Sequence, residues 1–224
     1  MRLSVIIPAL DEAAQIAAAI DSARAEALEV LVVDAGSADA TAATAAAAGA
    51  VVLQAPRGRA RQMNAGAAHA GGDVLLFLHA DTRLPVGFAA AVAAALEDPA
   101  AVGGRFDVRL VPSSPLLALT AALINRRSRL TGIATGDQAL FVRRATFEAM
   151  GGFADLPLME DVAFTRDLKR RGRVVALRAR VATSARRWQR HGVLRTILLM
   201  WRLRLLYWWG VAPAELKRRY VDAR

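Results

Sequence analysis

Residues 3–7, 30–33, 51–53 and 74–78 are short, almost unbroken apolar runs, separated by helix-like stretches over 11–25, 38–48 and 59–70. A strand that is apolar at every position has no solvent face, so it must be covered on both sides. With a helix between each pair, neighbouring strands run parallel. The pattern therefore predicts an α/β domain on a mostly parallel sheet with helices on both faces. The 224 residues suffice for one such domain and its core. There is no cysteine, which excludes a disulfide framework, a thiolate metal site and a cysteine nucleophile. The segment before Pro8 lacks the length and cleavage site of a signal peptide, so a cytoplasmic location is expected.

In sheets of this kind ligands bind beyond the carboxyl ends of the strands. Three strand ends carry acids: Pro8-Ala9-Leu10-Asp11-Glu12, Asp34-Ala35-Gly36-Ser37 and His79-Ala80-Asp81-Thr82. None has the glycine fingerprint of a dinucleotide site or of a phosphate-cradling loop. Asp81 is either a rim carboxylate or the cap of a helix entered near Pro85.

Beyond residue 100 the pattern loosens. Residues 102–111, 139–142 and 174–177 read as strands, and 115–124 and 160–171 as helices. A glycine-bearing stretch, Gly132-Ile133-Ala134-Thr135-Gly136-Asp137-Gln138, precedes Gly151-Gly152-Phe153 and then Leu158-Met159-Glu160-Asp161. Adjacent carboxylates suit proton abstraction from a hydroxyl, and they equally suit the positive end of a helix. The charge is uneven. Residues 1–120 hold 8 Arg against 12 acids, whereas residues 121–224 hold 22 Arg and Lys against 8 acids. A basic half can meet a phosphorylated substrate, an anionic membrane surface or nucleic acid.

Taken in order, these segments resemble family 2 glycosyltransferases. The matches are Ser4-Val5-Ile6-Ile7-Pro8 with Asp11-Glu12, the stretch Val32-Val33-Asp34-Ala35-Gly36-Ser37, then Arg61, Asn64 and Gly66, then Leu78-His79-Ala80-Asp81-Thr82, and finally the Glu160-Asp161 pair. The Leu-His-Ala-Asp-Thr strand end is similar to a small bacterial subgroup labelled radical-SAM- or selenodomain-associated, or arsenosugar-type, transferases. The resemblance implies a GT-A fold and inverting transfer of a sugar from a nucleoside diphosphate, UDP or GDP, to a hydroxyl acceptor.

It also implies roles for individual residues. Pro8, Leu10, Glu12, Asp34, Gly36, Ser37, Arg61, His79 and Ala80 would bind the nucleotide, with Asp34 on the base and Glu12 on the ribose. Asp81 would hold Mg²⁺ or Mn²⁺ on the diphosphate, since hard cations prefer carboxylate oxygens. The family commonly has Asp where His79 stands, which leaves a leaner metal site, and His191 is the candidate extra ligand or a surface histidine. Gly136, Asp137 and Gln138 would line the acceptor site, Asp161 would be the base and Glu160 its partner. Arg186, Arg187 and Arg190 either hold the diphosphate or form a solvated basic face; the first role is assigned to Arg187 and Arg190.

On this reading residues 1–190 are one catalytic domain, with a nucleotide half over 1–100 and an acceptor half over 101–190. Residues 191–224 form an apolar and basic helical appendage. Leu194, Leu198, Trp201, Leu205 and Trp208 make one helical stripe while Leu199, Leu203 and Leu206 lie opposite. Interleaved arginines argue against a membrane span. The outer stripe suits a peripheral membrane interface, the inner leaflet included, a homodimer contact, or packing on the domain. No nucleic-acid partner is expected. Two rivals stay open: a non-catalytic basic binding module on a degenerate transferase fold, and a sugar nucleotidyltransferase.

Overall fold

The computed structural model describes residues 1–220; the last four residues of the expected appendage, 221–224, lie outside them. Strands β1 (Leu3–Ala9), β2 (Glu29–Asp34), β3 (Val51–Gln54) and β4 (Val74–Phe77) alternate with helices α1 (Ala13–Arg24), α2 (Thr41–Ala47) and α3 (Arg59–His69). These strands lie in the order β3-β2-β1-β4, all parallel. The apolar runs divide by the strand period of two. Val5 and Ile7 of β1, Val30 and Val32 of β2, and Val74 and Leu76 of β4 enter one core beneath α1. Ile6, Leu31, Val33, Leu75 and Phe77 enter the opposite core beneath α3. A polar residue at any of these positions would strand its polar atoms in one core or the other. Helix α3 approaches closely because it carries Gly66, where a Cβ would stand 2.5 Å from Ile6 Cγ2.

The second half turns the sheet mixed. After the two-residue β5 (Thr82–Arg83) and α4 (Phe88–Ala95) come β6 (Ala101–Val111), α5 (Pro115–Thr131), β7 (Leu140–Arg143), α6 (Arg144–Ala149), α7 (Glu160–Leu168) and β8 (Arg173–Ser184). The eight-stranded order is β3-β2-β1-β4-β7-β6-β8-β5. β7 is antiparallel to both β4 and β6, β8 is parallel to β6, and β5 is antiparallel to β8. Helix α5 runs a further two turns past the expected 115–124. Ser114 caps it, accepting from the Leu117 amide at 3.3 Å, Pro115 starts it, and Gly132 ends it at φ +67°. Strand β8 is three times as long as expected. Its outer half, Arg-Ala-Arg-Val-Ala-Thr-Ser, alternates polar and apolar residues, so no continuous apolar run marks it.

Four phenylalanines, Phe77, Phe147, Phe153 and Phe164, lock α6, α7 and the loop between them to the sheet. Phe153 meets Phe77 edge-on at 4.8 Å and stacks on Phe164 at 4.2 Å. The chain closes with α8 (Arg186–His191), α9 (Val193–Trp208) and α10 (Pro213–Arg219). Leu203 and Leu216 are buried against Leu158 and Met159, so the terminal helices pack on the loop that leads into α7.

Candidate active site

The carboxyl ends of β1, β2 and β4 meet at one rim, and hydrogen bonds join them. Gln62 of α3 is buried and donates from Nε2 to the Ala9 carbonyl at 2.9 Å and the Val33 carbonyl at 2.8 Å, tying two strand ends. The loops after β1 and β2 are stitched together: the Asp11 amide donates to Ser37 Oγ at 3.0 Å, the Ala38 amide to Asp11 Oδ1 at 2.8 Å, and the Glu12 amide to Thr41 Oγ1 at 2.8 Å. Asp34 is buried, and its Oδ2 accepts from the Gly36 and Ser37 amides, each at 3.0 Å. Ser37 Oγ donates to its Oδ1. Gly36 takes φ +77°, which this turn requires. Asp34 thus shapes the loop with its own carboxylate.

A cavity of about 540 Å³ opens beside this rim. Pro8, Leu10, Glu12, His79, Ala80, Asp81, Gly136, Asp137, Glu160, Asp161 and Arg187 all line it. Asp34, Gly36, Ser37, Arg61, Gln138, Arg190 and His191 are not among its walls. Arg61 turns outward to an exposed bidentate pair with Asp155, at 2.8–3.0 Å. Its neighbour Asn64 brackets Phe153, donating to its carbonyl at 2.8 Å and accepting from its amide at 2.9 Å. Both fasten the 150–155 loop to α3. Gln138 is buried and serves as a capping box with Thr135. Arg187 lies over the Tyr220 ring at 3.9 Å and donates to its hydroxyl. Arg190 is exposed.

Asp81 leads into β5 and caps no helix; α4 begins at Phe88 with Gly87 before it. Its backbone is fixed by the Ser184 amide at 3.1 Å, and Thr82 Oγ1 donates to Thr183 Oγ1 at 2.9 Å. Burial pushes the Asp81 carboxyl up, Arg186 opposes this, and Glu12 and Asp137 add to the rise. Arg186, at the start of α8, is the hub: its guanidinium forms a bidentate pair with Glu12 and reaches Asp81 Oδ2 at 3.4 Å. Glu12 therefore faces a cation here. His79 is held neutral, its pKa brought down to about 3 by burial and then by Arg59 and Arg186. Asp81 supplies the hard carboxylate oxygen that Mg²⁺ or Mn²⁺ prefers, while Glu12 is taken up by Arg186. Among the described residues no group of three or more ligating side chains could hold a metal ion, and His191 does not line the cavity that Asp81 lines. The residues fit a cation carried in on phosphate oxygens and held by Asp81, rather than an all-protein cage.

At the cavity's other wall, Glu160 and Asp161 open α7 after Met159, which takes φ +68°. Glu160 is buried and pairs with Arg59 at 3.4 Å; burial raises its pKa, against the pull of Arg59. Asp161 accepts from the Gly136 amide at 2.7 Å and from the Val162 amide at 2.7 Å. Gly136 permits this only because it lacks a side chain: a Cβ there would stand 2.4 Å from His79 Nε2. Arg59, Gln62 and Arg127 belong to the site without a sequence signal, because only the folded topology brings them to it.

The mixed sheet with its parallel half is of the GT-A type. The sequence profile described as "Glycosyl transferase family 2" matches residues 4–147, and the chain belongs to that family. In structure it is similar to residues 1–349 of TarS from S. aureus, at 20% identity and a TM-score of 0.65, covering 83% of this chain and 61% of that one. It is also similar to glucosyl-3-phosphoglycerate synthase from Mycobacterium tuberculosis, at 20% identity and a TM-score of 0.63, covering 81% and 71%. The chain therefore spans about three fifths of the TarS segment it matches. A comparison with curated proteins finds no match.

Proposed function

We propose that this chain transfers a sugar, with inversion, from a UDP- or GDP-sugar to a hydroxyl acceptor, and that it depends on Mg²⁺ or Mn²⁺. The observation that carries the reading is the pairing across one cavity of a half-buried strand-end carboxylate, Asp81, with a backbone-held carboxylate, Asp161. The M. tuberculosis synthase, solved with Mn²⁺, UDP and glucosyl-3-phosphoglycerate, supports donor and cation class. Asp161 takes the acceptor proton as the acceptor oxygen attacks the anomeric carbon from the face opposite the diphosphate. Its two amide donors hold one orientation of the carboxylate. Glu160, paired with Arg59, orients the acceptor or its neighbour. Asp81 would hold the divalent ion, which neutralises charge on the leaving diphosphate when bound. Arg186 spaces Glu12 from Asp81, and the 8–12 loop, braced by the 34–37 loop, receives the nucleoside.

Residues 1–190 carry this chemistry, and the appendage after residue 190 rests on a membrane surface. No helix among the described residues is long and apolar enough to cross a membrane. The test is a thermal-shift panel of nucleoside diphosphates and their sugars with and without Mn²⁺. A ligand at 100 times its Kd stabilises by about 2.7 kcal/mol. Asp81→Ala should abolish the Mn²⁺-dependent part of the shift. Asp161→Asn should keep the shift and lose transfer. If wild type responds to no nucleotide, or both variants retain full transfer, the assignment is wrong.

A further inference from the structure

The cavity does not end at its carboxylates. Past Asp137 and Asp161 it runs between α5 and α9, where Leu123, Ile124, Leu130, Ile197, Met200 and Trp201 form its walls. Three of these, Leu123, Leu130 and Trp201, are also 51, 78 and 64% exposed, so the chamber opens to the surface through its own apolar wall. Around that mouth each helix presents a stripe at helical spacing. On α5 the stripe continues with Leu116 and Leu119; on α9 it continues with Leu194, Leu198, Leu205 and Trp208. Nine of the fifteen large hydrophobic residues exposed among the described residues belong to these two helices. Carried on the two helices that wall one cavity, they are more than scattered surface residues.

Between the apolar chamber and the carboxylates stands Arg127, on the α5 stripe between Leu123 and Leu130. Its Nη1 reaches the Ile133 carbonyl at 3.5 Å, while its Nε and Nη2 are buried with no hydrogen-bond partner. Burial, with Arg204 beside it, brings its pKa down only to about 10, so it stays charged at neutral pH. Arg204 and Arg126 line the same cavity. A buried guanidinium with two unused donors is matched by a phosphate, whose oxygens accept its fork. The Asp137 Oδ1 atom is likewise buried and unpartnered, and it is an acceptor waiting for a donor such as a hydroxyl.

Building on the transferase reading above, we propose that the acceptor is a membrane lipid whose head carries both a phosphate and a free hydroxyl. Its chain occupies the chamber between α5 and α9, its phosphate sits on Arg127 with Arg204, and its hydroxyl lies between Asp137 and Asp161. A soluble sugar or phosphate acceptor would leave the chamber without an occupant. A second protein chain would cover the stripes yet leave the two Arg127 donors unmatched. The step balances without a further reactant. The lipid oxygen bonds to the anomeric carbon, the bond from that carbon to the diphosphate oxygen breaks, the hydroxyl proton passes to Asp161, and the nucleoside diphosphate leaves with the electron pair.

The test uses the full chain, the donor identified by thermal shift with its sugar radiolabelled, and four acceptor arms. These are phosphatidylglycerol vesicles, phosphatidylcholine vesicles, soluble glycerol 3-phosphate, and farnesyl phosphate, which has chain and phosphate but no hydroxyl. The expected result is label in the organic phase with phosphatidylglycerol at least tenfold above every other arm. Arg127→Gln should raise the KM for that lipid at least tenfold. Leu198→Glu with Trp208→Glu, both at exposed positions, should reduce cosedimentation with the vesicles; melting with donor present checks that the variant folds. Equal transfer to glycerol 3-phosphate overturns the chamber's role, and transfer to farnesyl phosphate alone overturns the hydroxyl-bearing head. A dimer that the double variant splits, with vesicle binding unchanged, makes the patch a self-contact and overturns the proposal. Donor hydrolysis with no labelled lipid overturns the acceptor while leaving the transferase reading intact; no donor binding in any arm overturns both.

Discussion

The Gly136 amide holds the carboxylate of Asp161, the proposed base, and adding one methyl group there should separate fold from chemistry. The Cβ of an alanine at 136 would stand 2.4 Å from His79 Nε2 and 3.0 Å from its Cε1, where ordinary contact begins at 3.4 Å. The loop or the ring must retreat by about 1 Å. The Gly136 amide moves with the loop, and it is the donor that holds Asp161 Oδ2 at 2.7 Å. A displacement of about 1 Å in a positioned catalytic group costs on the order of 100-fold in rate. Overpacking of this kind costs about 1–3 kcal/mol, which for a chain of this size lowers Tm by about 2–12 °C. Gly136→Ala should therefore fold, keep its nucleoside diphosphate thermal shift, and lose about 100-fold in kcat at saturating donor. Adding His79→Ala removes the clash, so the double variant should regain activity relative to Gly136→Ala when each is compared with its parent. Loss of less than twofold in the single variant, or strictly additive losses in the cycle, would refute the idea that Gly136 positions Asp161 through His79.

Three further outcomes follow from the charges. Burial raises the Glu160 pKa above its unfolded value, so the folded state holds that proton more tightly and wild type loses stability as pH rises from the unfolded pKa through the folded one. The Tm of Glu160→Gln relative to wild type should then climb between about pH 4 and the raised value, and a difference that stays flat from pH 4 to 8 is the contrary result. Arg186→Met leaves Glu12 and Asp81 facing each other without their shared cation. It should cost about 1–3 kcal/mol in urea melts, with Mn²⁺ recovering part of it; equal stability with wild type would contradict the hub. The buried Asp107 carboxylate serves both the buried Arg105 and the exposed Arg129. Asp107→Asn should therefore destabilise by about 3–5 kcal/mol and Arg105→Met by less, and the reverse order in chemical denaturation would exclude the pairing.

The parallel half was legible because strands buried on both faces have nowhere to put a polar side chain, so β1, β2 and β4 announce themselves residue by residue. The same logic hid the outer half of β8, beyond the expected 174–177. This half alternates arginine with small apolar residues, and its partner β6 lies some seventy residues earlier, so neither composition nor neighbourhood marks it. The strand-end acids were legible for a related reason: a carboxylate directly after a buried strand has only the rim to occupy. What that carboxylate does there was less legible. Asp34 spends its oxygens on its own loop, Glu12 pairs with an arginine 174 residues away, and Arg61 serves a surface pair. Those outcomes depend on which distant side chain arrives, and sequence spacing carries no record of it.

Position 79 gives the same argument a chemical edge. An aspartate there would add a fourth carboxylate to Glu12, Asp81 and Asp137 and would demand more of Arg59, Arg186 and any bound cation. A neutral His79, pressed against the bare backbone of Gly136, removes that demand and converts the position from a charge into a steric gauge. The acid count around Asp81 falls, and the distance between strand end and base loop becomes fixed by contact instead of by ion pairing. His79→Asp should then reverse both effects. The new carboxylate should weaken the fold in the absence of cation through like-charge crowding. It should also make Mn²⁺-dependent stabilisation larger than in wild type, a difference that paired melts with and without Mn²⁺ would measure directly. Equal Mn²⁺ responses in the two proteins would mean that position 79 does not set the charge at Asp81.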